Sequence, residues 1–241
     1  MGAALPRGWQ FVLMAADTPR SQLRDDGFPG LGVPMPALGL PRLLLGGRTV
    51  EFLADIPIGA TVRRLSGIRD LVRKETAKGP MAIATVAHEL FVDAAAKPAL
   101  REMQTYLLME ERARRAPSAE AETTLVVAEH SKVVVPDATM LFQYSALGFN
   151  SHRVHLDRAY AREVEGFPDL VVNGGVITLL LTEFLRTELG LVPRSLRVKH
   201  LAPLFCDRPM KLTADREGAA WRLKALDDRG RPAADMEVDT L

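Results

Sequence analysis

Between Asn150 and Asp157 the chain reads Asn-Ser-His-Arg-Val-His-Leu-Asp, which puts two histidines, an asparagine, an arginine and a carboxylate within eight residues. No other stretch is as dense in groups that do chemistry. His155 is the best candidate for a general base, because an imidazole titrates near neutral pH. Asn150 can orient a water through its amide. Further along, Asn173-Gly174-Gly175 opens a segment that is apolar nearly all round from Val176 to Leu185. Glycine at the start of such a helix is expensive in conformational entropy, and makes sense where a ligand must approach the backbone closely. The free N–H groups there, aided by the helix dipole, can hold a developing oxyanion.

Each neighbour of this cluster carries a plainer reading as well. His152 orients either a substrate or His155, or simply bonds to backbone. The two histidines are spaced i, i+3, but no third or fourth ligand follows nearby, so a metal is not expected. Asp157 reads as an N-cap. Arg153 suits an anionic group on a substrate, or is a solvated surface arginine. Cys206 lies between Phe205 and Asp207 with no paired base and reads as inert. His88, His130 and His200 fall in strand-like stretches and read as structural. Gly30-x-Gly32 and Gly46-Gly47 lack the strand–turn–helix setting of a nucleotide fingerprint.

The elements that must position these groups follow from pattern. Residues 1 to about 50 are rich in proline and glycine, and read as an ordered arm or active-site loop, with Trp9, Phe11, Phe28 and several leucines to bury. From Ile56 to Leu65, Ile68 to Lys74, Met81 to Phe91 and Met103 to Glu110 the chain alternates apolar with polar. Gly79-Pro80 and Lys97-Pro98 fall where hairpin turns would, giving an antiparallel meander. Pro117 to Thr124 has the composition of a mobile connection. Asp137 is placed to cap a helix with Met140, Leu141, Tyr144 and Leu147 on its apolar side, and Asp157 to cap a short one through Tyr160 and Val164. The segment Val176–Leu185 must be wrapped by other structure. Strands are expected at Leu196–His200, Met210–Asp215, Trp221–Asp227 and Ala233–Val238, so a meander can curl around the helix. Ile56-Pro57-Ile58 and Ala202-Pro203-Leu204 each place a proline ahead of two alternating strands, a faint echo that points to two similar halves.

The 31 Lys+Arg against 30 Asp+Glu in 241 residues argue against non-specific nucleic-acid or membrane-surface binding. One cysteine excludes an intrachain disulfide framework. No apolar run approaches membrane-spanning length, and Met1-Gly-Ala-Ala-Leu-Pro-Arg lacks the apolar core of a secretory signal, so a soluble cytoplasmic protein is expected.

The run from Asn150 to Asp157, then Tyr160-Ala161, then Gly166-Phe-Pro-Asp-Leu-Val-Val-Asn-Gly174 resembles the MaoC-like hydratase/dehydratase family. Trp9, Asp26-Gly27, Leu40-Pro41-Arg42, Gly46-Gly47, Ile68, Lys74 and Glu102-Met-Gln104 resemble the amino-terminal part of its double-hotdog branch, so the likeness covers nearly the whole chain. That branch includes hydratases of mesaconyl-C4-CoA and itaconyl-CoA and mitochondrial 3-hydroxyacyl thioester dehydratases. The resemblance implies an α+β double hotdog, two curved antiparallel sheets each wrapping a central helix. It places a non-catalytic hotdog at 1–125 and one carrying the hydratase motif at 126–241. It implies reversible hydration of an enoyl-CoA thioester, with a C4-dicarboxylyl acyl group as first choice and no cofactor. His155, Asn150 and Gly174 would be catalytic, with His152, Arg153, Asn173 and Gly175 binding substrate and Arg153 facing a substrate carboxylate or a CoA phosphate. A 3-hydroxyacyl-carrier-protein dehydratase and a non-catalytic thioester-binding module are the competing readings, and a homodimer is one assembly left open. The chain departs from the wider family in carrying Asn150 where the R-specific hydratases have aspartate, and His152 where they have asparagine. An amide is no base, so the base role falls to His155.

Overall fold

The computed structural model describes residues 2–77, 79–110 and 127–241. The nine strands among them form a single antiparallel sheet. Its first half holds β1 (Arg42–Phe52), β2 (Val62–Thr76), β3 (Gly79–Val92) and β4 (Leu100–Met109); its second holds β5 (His130–Val134), β6 (Pro193–His200), β7 (Met210–Glu217), β8 (Ala220–Leu226) and β9 (Pro232–Thr240). The strand order is β2-β3-β4-β1-β6-β9-β8-β7-β5. The blocks β2-β3-β4-β1 and β7-β8-β9-β6 repeat one topology, head to head across the antiparallel β1–β6 pair. The two proline echoes, at Pro57 and Pro203, sit between β1 and β2 and between β6 and β7, at equivalent places in the repeat.

Between β5 and β6 run α1 (Ala138–Leu147) and α2 (Gly174–Glu188). As expected, the Asp137 carboxylate accepts from the Met140 N–H at 2.7 Å and starts α1. Of the apolar side read for α1, Leu141 is buried but Leu147 is half exposed. In α2, Val176, Ile177, Leu181, Phe184 and Leu185 are all buried against β6–β9 residues such as Leu196, Val198, Leu223 and Met236. Alternation of the strands aims these residues at the helix, as their period of two requires. No helix among the described residues is long and apolar enough to cross a membrane.

Two expectations about the first half need correction. The arm does not run to residue 50: it ends at Pro41, and Arg42–Phe52 is a central strand paired with both β4 and β6. Gly46-Gly47 disguised it, and the pairing with β4 shifts register there, between Leu45 and Gly47. Likewise Ile56–Leu65 and Ile68–Lys74 are not two strands. One long β2 starts at Val62 and carries a register shift between Ile68 and Asp70. The connection read at Pro117–Thr124 and the boundary read at 125/126 lie outside the described residues.

No helix as long as α2 faces β1–β4 among the described residues. The segment Trp9–Met14 is a six-residue 3-10 turn that bridges the two halves: Gln10 donates to Glu102 on β4 at 3.0 Å, while its neighbours meet α1 and α2. The Trp9 indole donates to Glu183 at 2.9 Å, and Phe11 stacks on Tyr144 with centroids 4.3 Å apart.

Candidate active site

After α1 the chain turns through Phe149, whose φ is +48°. The Asn150 N–H then returns to the Ser145 carbonyl at 2.8 Å, and the Asn150 side-chain oxygen accepts from the His152 N–H at 3.2 Å. This Asx turn fixes the asparagine and spends its oxygen, leaving its NH2 as the group able to hold a water. Arg153–His155 is a single 3-10 turn. The arm docks directly on this loop. The Arg153 N–H donates to the Asp26 carbonyl at 2.8 Å, and the Ser151 hydroxyl to the Gly27 carbonyl at 2.6 Å. Gly27 has φ +76°, and any β-carbon there would collide with the Ser151 carbonyl oxygen, so only glycine serves.

The state of His155 follows from one contact. Its Nδ1 lies 2.7 Å from the Val171 carbonyl oxygen, which can only accept, so Nδ1 carries the hydrogen and Nε2 keeps its lone pair. Burial pulls the pKa of His155 down to about 4, partly opposed by that hydrogen bond and reinforced by His152. The ring is therefore neutral at physiological pH, with Nε2 unprotonated. His152 lies edge-on to it, centroids 5.4 Å apart, with Asp26 at 3.8 Å and Phe28 alongside. Its pKa is also lowered, chiefly by burial, against the pull of Asp26.

The loop is tied to the start of α2. Val171 N–H donates to the Val154 carbonyl at 3.0 Å, and the buried Asn173 amide donates to the Ser145 hydroxyl at 3.3 Å. Ser145 thus links Asn150 on one side to Asn173 on the other. Asn173 makes no side-chain cap, so the first-turn N–H groups of α2 lack a side-chain acceptor. Gly174 sits close against other structure: a β-carbon there would lie 3.2 Å from Leu45 and 3.3 Å from the His200 ring. At Gly175 a β-carbon would collide with the Tyr144 hydroxyl. That glycine was read as a substrate contact, but close packing of Tyr144 already accounts for it. Burial pushes the Tyr144 hydroxyl up to about 12, so it stays protonated.

The remaining expected residues separate. Arg153 is engaged already: it pairs with Asp157 at 2.8 Å and lies over the Tyr160 ring at 4.3 Å. Asp157 caps the turn at Tyr160, accepting from its N–H at 3.0 Å. Cys206 is buried, and its thiol is pushed up to about 11 mainly by burial. His200, read as structural, instead lies beside Gly174 with both ring nitrogens buried and unpartnered. Its position at the end of β6 gave no sign of this, since Gly174 is distant in sequence. Missed too was a cavity of about 500 Å³ under the arm, walled by Leu31, Val33, Met35, Leu38, Leu40 and Leu43 and reaching Phe28, which touches His152.

A neutral imidazole with an unprotonated nitrogen, an oriented amide and the start of α2 therefore share one loop-and-helix unit. The sequence matches the hydroxyacyl-thioester dehydratase type 2 family over residues 8–206. The chain belongs to this family. It is 34% identical over 237 residues to the mesaconyl-C4-CoA hydratase of Chloroflexus aurantiacus, covering 98% of this chain and 83% of that protein. It is 24% identical to the mitochondrial hydroxyacyl-thioester dehydratase type 2 of Schizosaccharomyces pombe, covering 90% of this chain and 80% of that one. A Mycobacterium tuberculosis structure described as a double hotdog superposes with a TM-score of 0.61 at 14% identity, covering 100% of this chain and 82% of that one. The fold is the expected double hotdog, with the central helix of its first half missing among the described residues.

Proposed function

We propose that this protein adds water reversibly to the double bond of an enoyl-CoA thioester, with a C4-dicarboxylyl acyl group of the mesaconyl-C4-CoA or itaconyl-CoA kind as substrate. The observation that carries the reading is the Nδ1 bond of His155 to the Val171 carbonyl, which leaves Nε2 unprotonated and free. In this reading the Gly174 N–H polarises the thioester carbonyl, and the Asn150 NH2 holds the water. The water oxygen bonds to the β-carbon as His155 Nε2 takes its proton. The electron pair of the double bond moves onto the carbonyl oxygen as an enolate, which the helix start stabilises. A proton then reaches the α-carbon and completes the addition. His152 and Asn173 flank the site, Gly175 makes room beside it for Tyr144, and Arg153 at its rim is placed for a CoA phosphate if Asp157 releases it.

We assign the chemistry to the hotdog of 126–241, with that of 1–125 supplying the facing wall. Mesaconyl-C4-CoA hydratase is the relative at 34% identity, which favours its substrate class, and a CoA substrate suits a cytoplasmic enzyme. The apolar cavity under the arm favours a second reading, dehydration of a longer 3-hydroxyacyl thioester on a carrier protein. Incubation with mesaconyl-C4-CoA, itaconyl-CoA and long-chain enoyl thioesters tests both, read as a gain of one water by mass and, for the conjugated thioesters, as loss of their absorbance. Turnover of the dicarboxylyl thioesters that is lost in His155→Ala supports the first reading. Preference for the long chains supports the second, and binding without turnover overturns both.

A further inference from the structure

Where α2 would have its counterpart, the inner face of β1–β4 carries polar groups. Arg48 is only 9% exposed and Glu102 1%. Arg48 Nη1 lies 3.1 Å from Glu102 Oε1. Both Glu102 oxygens have partners: Gln104 donates to the same oxygen at 2.7 Å, and Gln10 to the other at 3.0 Å. The Tyr106 hydroxyl donates to Gln104 in turn. Glu102 is thus bonded at both oxygens, whereas Arg48 keeps an unused donor. Its Nε–H is buried and bonds to nothing. A buried Arg–Glu pair does not by itself stabilise a fold relative to apolar replacements, and an orphaned donor costs about 1–3 kcal/mol more. Stability therefore gives no reason for leaving that edge open.

Its location supplies one. Arg48 faces the core from β1 just beyond the register shift, three residues after Leu45, which packs on Gly174. His200, on the neighbouring β6, packs on Gly174 from the other strand, with two buried unpartnered nitrogens. Burial, reinforced by the charge of Arg48, holds that ring neutral, its pKa down to about 3. Beside the proposed thioester site there is thus a set of unused donors: the Arg48 Nε–H and one N–H of a neutral imidazole. An alkyl chain placed there would leave both unsatisfied. An anion with several lone pairs would not, and the positive end of α2 offsets its charge. In a C4-dicarboxylyl thioester two carbons separate the free carboxylate from the thioester carbonyl, so its receptor must neighbour the carbonyl's receptor.

We propose that Arg48, through its free Nε edge and with His200 beside it, binds the free carboxylate of the acyl group and so selects dicarboxylyl over plain acyl thioesters. The proposal rests on the assignment of the thioester carbonyl to Gly174. Two measurements test it. The first needs no variant: binding of succinyl-CoA and butyryl-CoA to the wild-type protein by calorimetry. A charge-assisted bond predicts succinyl-CoA tighter by at least about 10-fold; equal affinity overturns the proposal. The second compares kcat/KM for mesaconyl-C4-CoA and crotonyl-CoA in wild type, in Arg48→Lys and in Arg48→Met with Glu102→Gln, which removes both charges together. The preference for the dicarboxylyl substrate should fall roughly 30-fold or more in the double variant and less in Arg48→Lys, mainly through KM. A parallel fall for both substrates overturns the assignment of Arg48 and leaves hydration standing, as does wild-type turnover of crotonyl-CoA alone. Turnover of neither thioester removes the hydration reading itself, and the carboxylate site is then judged on the calorimetry alone.

Discussion

The two halves of the sheet share a topology but not a filling. β6–β9 close around α2, with Leu181, Leu185, Leu223 and Met236 buried between them. Across β1–β4 the corresponding inner face presents Arg48, Glu102, Gln104 and His88 together with small residues, Ala82 and Ala84, and the arm lies over its far end. The first half keeps a core at one end, where Val50, Leu90 and Leu100 join the cluster around α2, and turns polar at its middle around Arg48 and Glu102. The difference fits the proposed division of labour, in which the second half keeps the helix whose start would receive the thioester carbonyl and the first supplies a polar wall facing it.

That division can be broken by substitution. The largest effect is expected at His155. If the second half holds the chemistry, His155→Ala should lower kcat for enoyl-CoA hydration by about 10²–10⁴-fold with an unchanged circular dichroism spectrum. Next comes the helix itself: Leu181→Ala empties a fully buried site and should cost about 2–5 kcal/mol in chemical denaturation. Acid should act through the same half. Folded His155 and His200 take a proton only near pH 4 and pH 3, while in the unfolded chain a histidine does so near 6.5. The unfolded state binds more protons between those values, so stability should fall as the pH drops below about 6.5, and the fall should be shallower in His155→Ala. Gly175→Ala forces a methyl onto the Tyr144 hydroxyl and should cost about 1–3 kcal/mol, read as a lower melting temperature. Smallest of all, replacing Arg48 and Glu102 together by Met and Gln should leave stability within roughly 1 kcal/mol of wild type or raise it, because the desolvation cost of a buried ion pair offsets its attraction. A large loss there would erase the contrast.

How much of this was legible in the sequence follows the same line. The second half declared itself: Val176–Leu185 is apolar nearly all round, Asp137 and Asp157 cap where caps were expected, and β6–β9 fall where strands were expected. The cluster of Asn150, His152 and His155 was visible because its members are neighbours in the chain. In the first half the signals were weaker. The glycine pair in β1 reads as loop, since only pairing with β4 and β6 on both sides makes Arg42–Phe52 a strand. The Arg48–Glu102 pair joins residues on two strands, and His200 meets Gly174 from a strand beyond the helix, so no local pattern could announce them. Glycine spacing marked the start of α2 correctly, but the reason at Gly175 is the ring of Tyr144, a contact between two helices.

The central claim is that a neutral imidazole and a helix-start amide act on one thioester from two sides. A crystal structure of the His155→Ala protein with a bound enoyl-CoA tests it most directly. The account predicts the thioester oxygen within about 2.7–3.2 Å of the Gly174 nitrogen, with the β-carbon facing the space left by the imidazole. A thioester lodged away from the start of α2, with its double bond turned from residue 155, would contradict it.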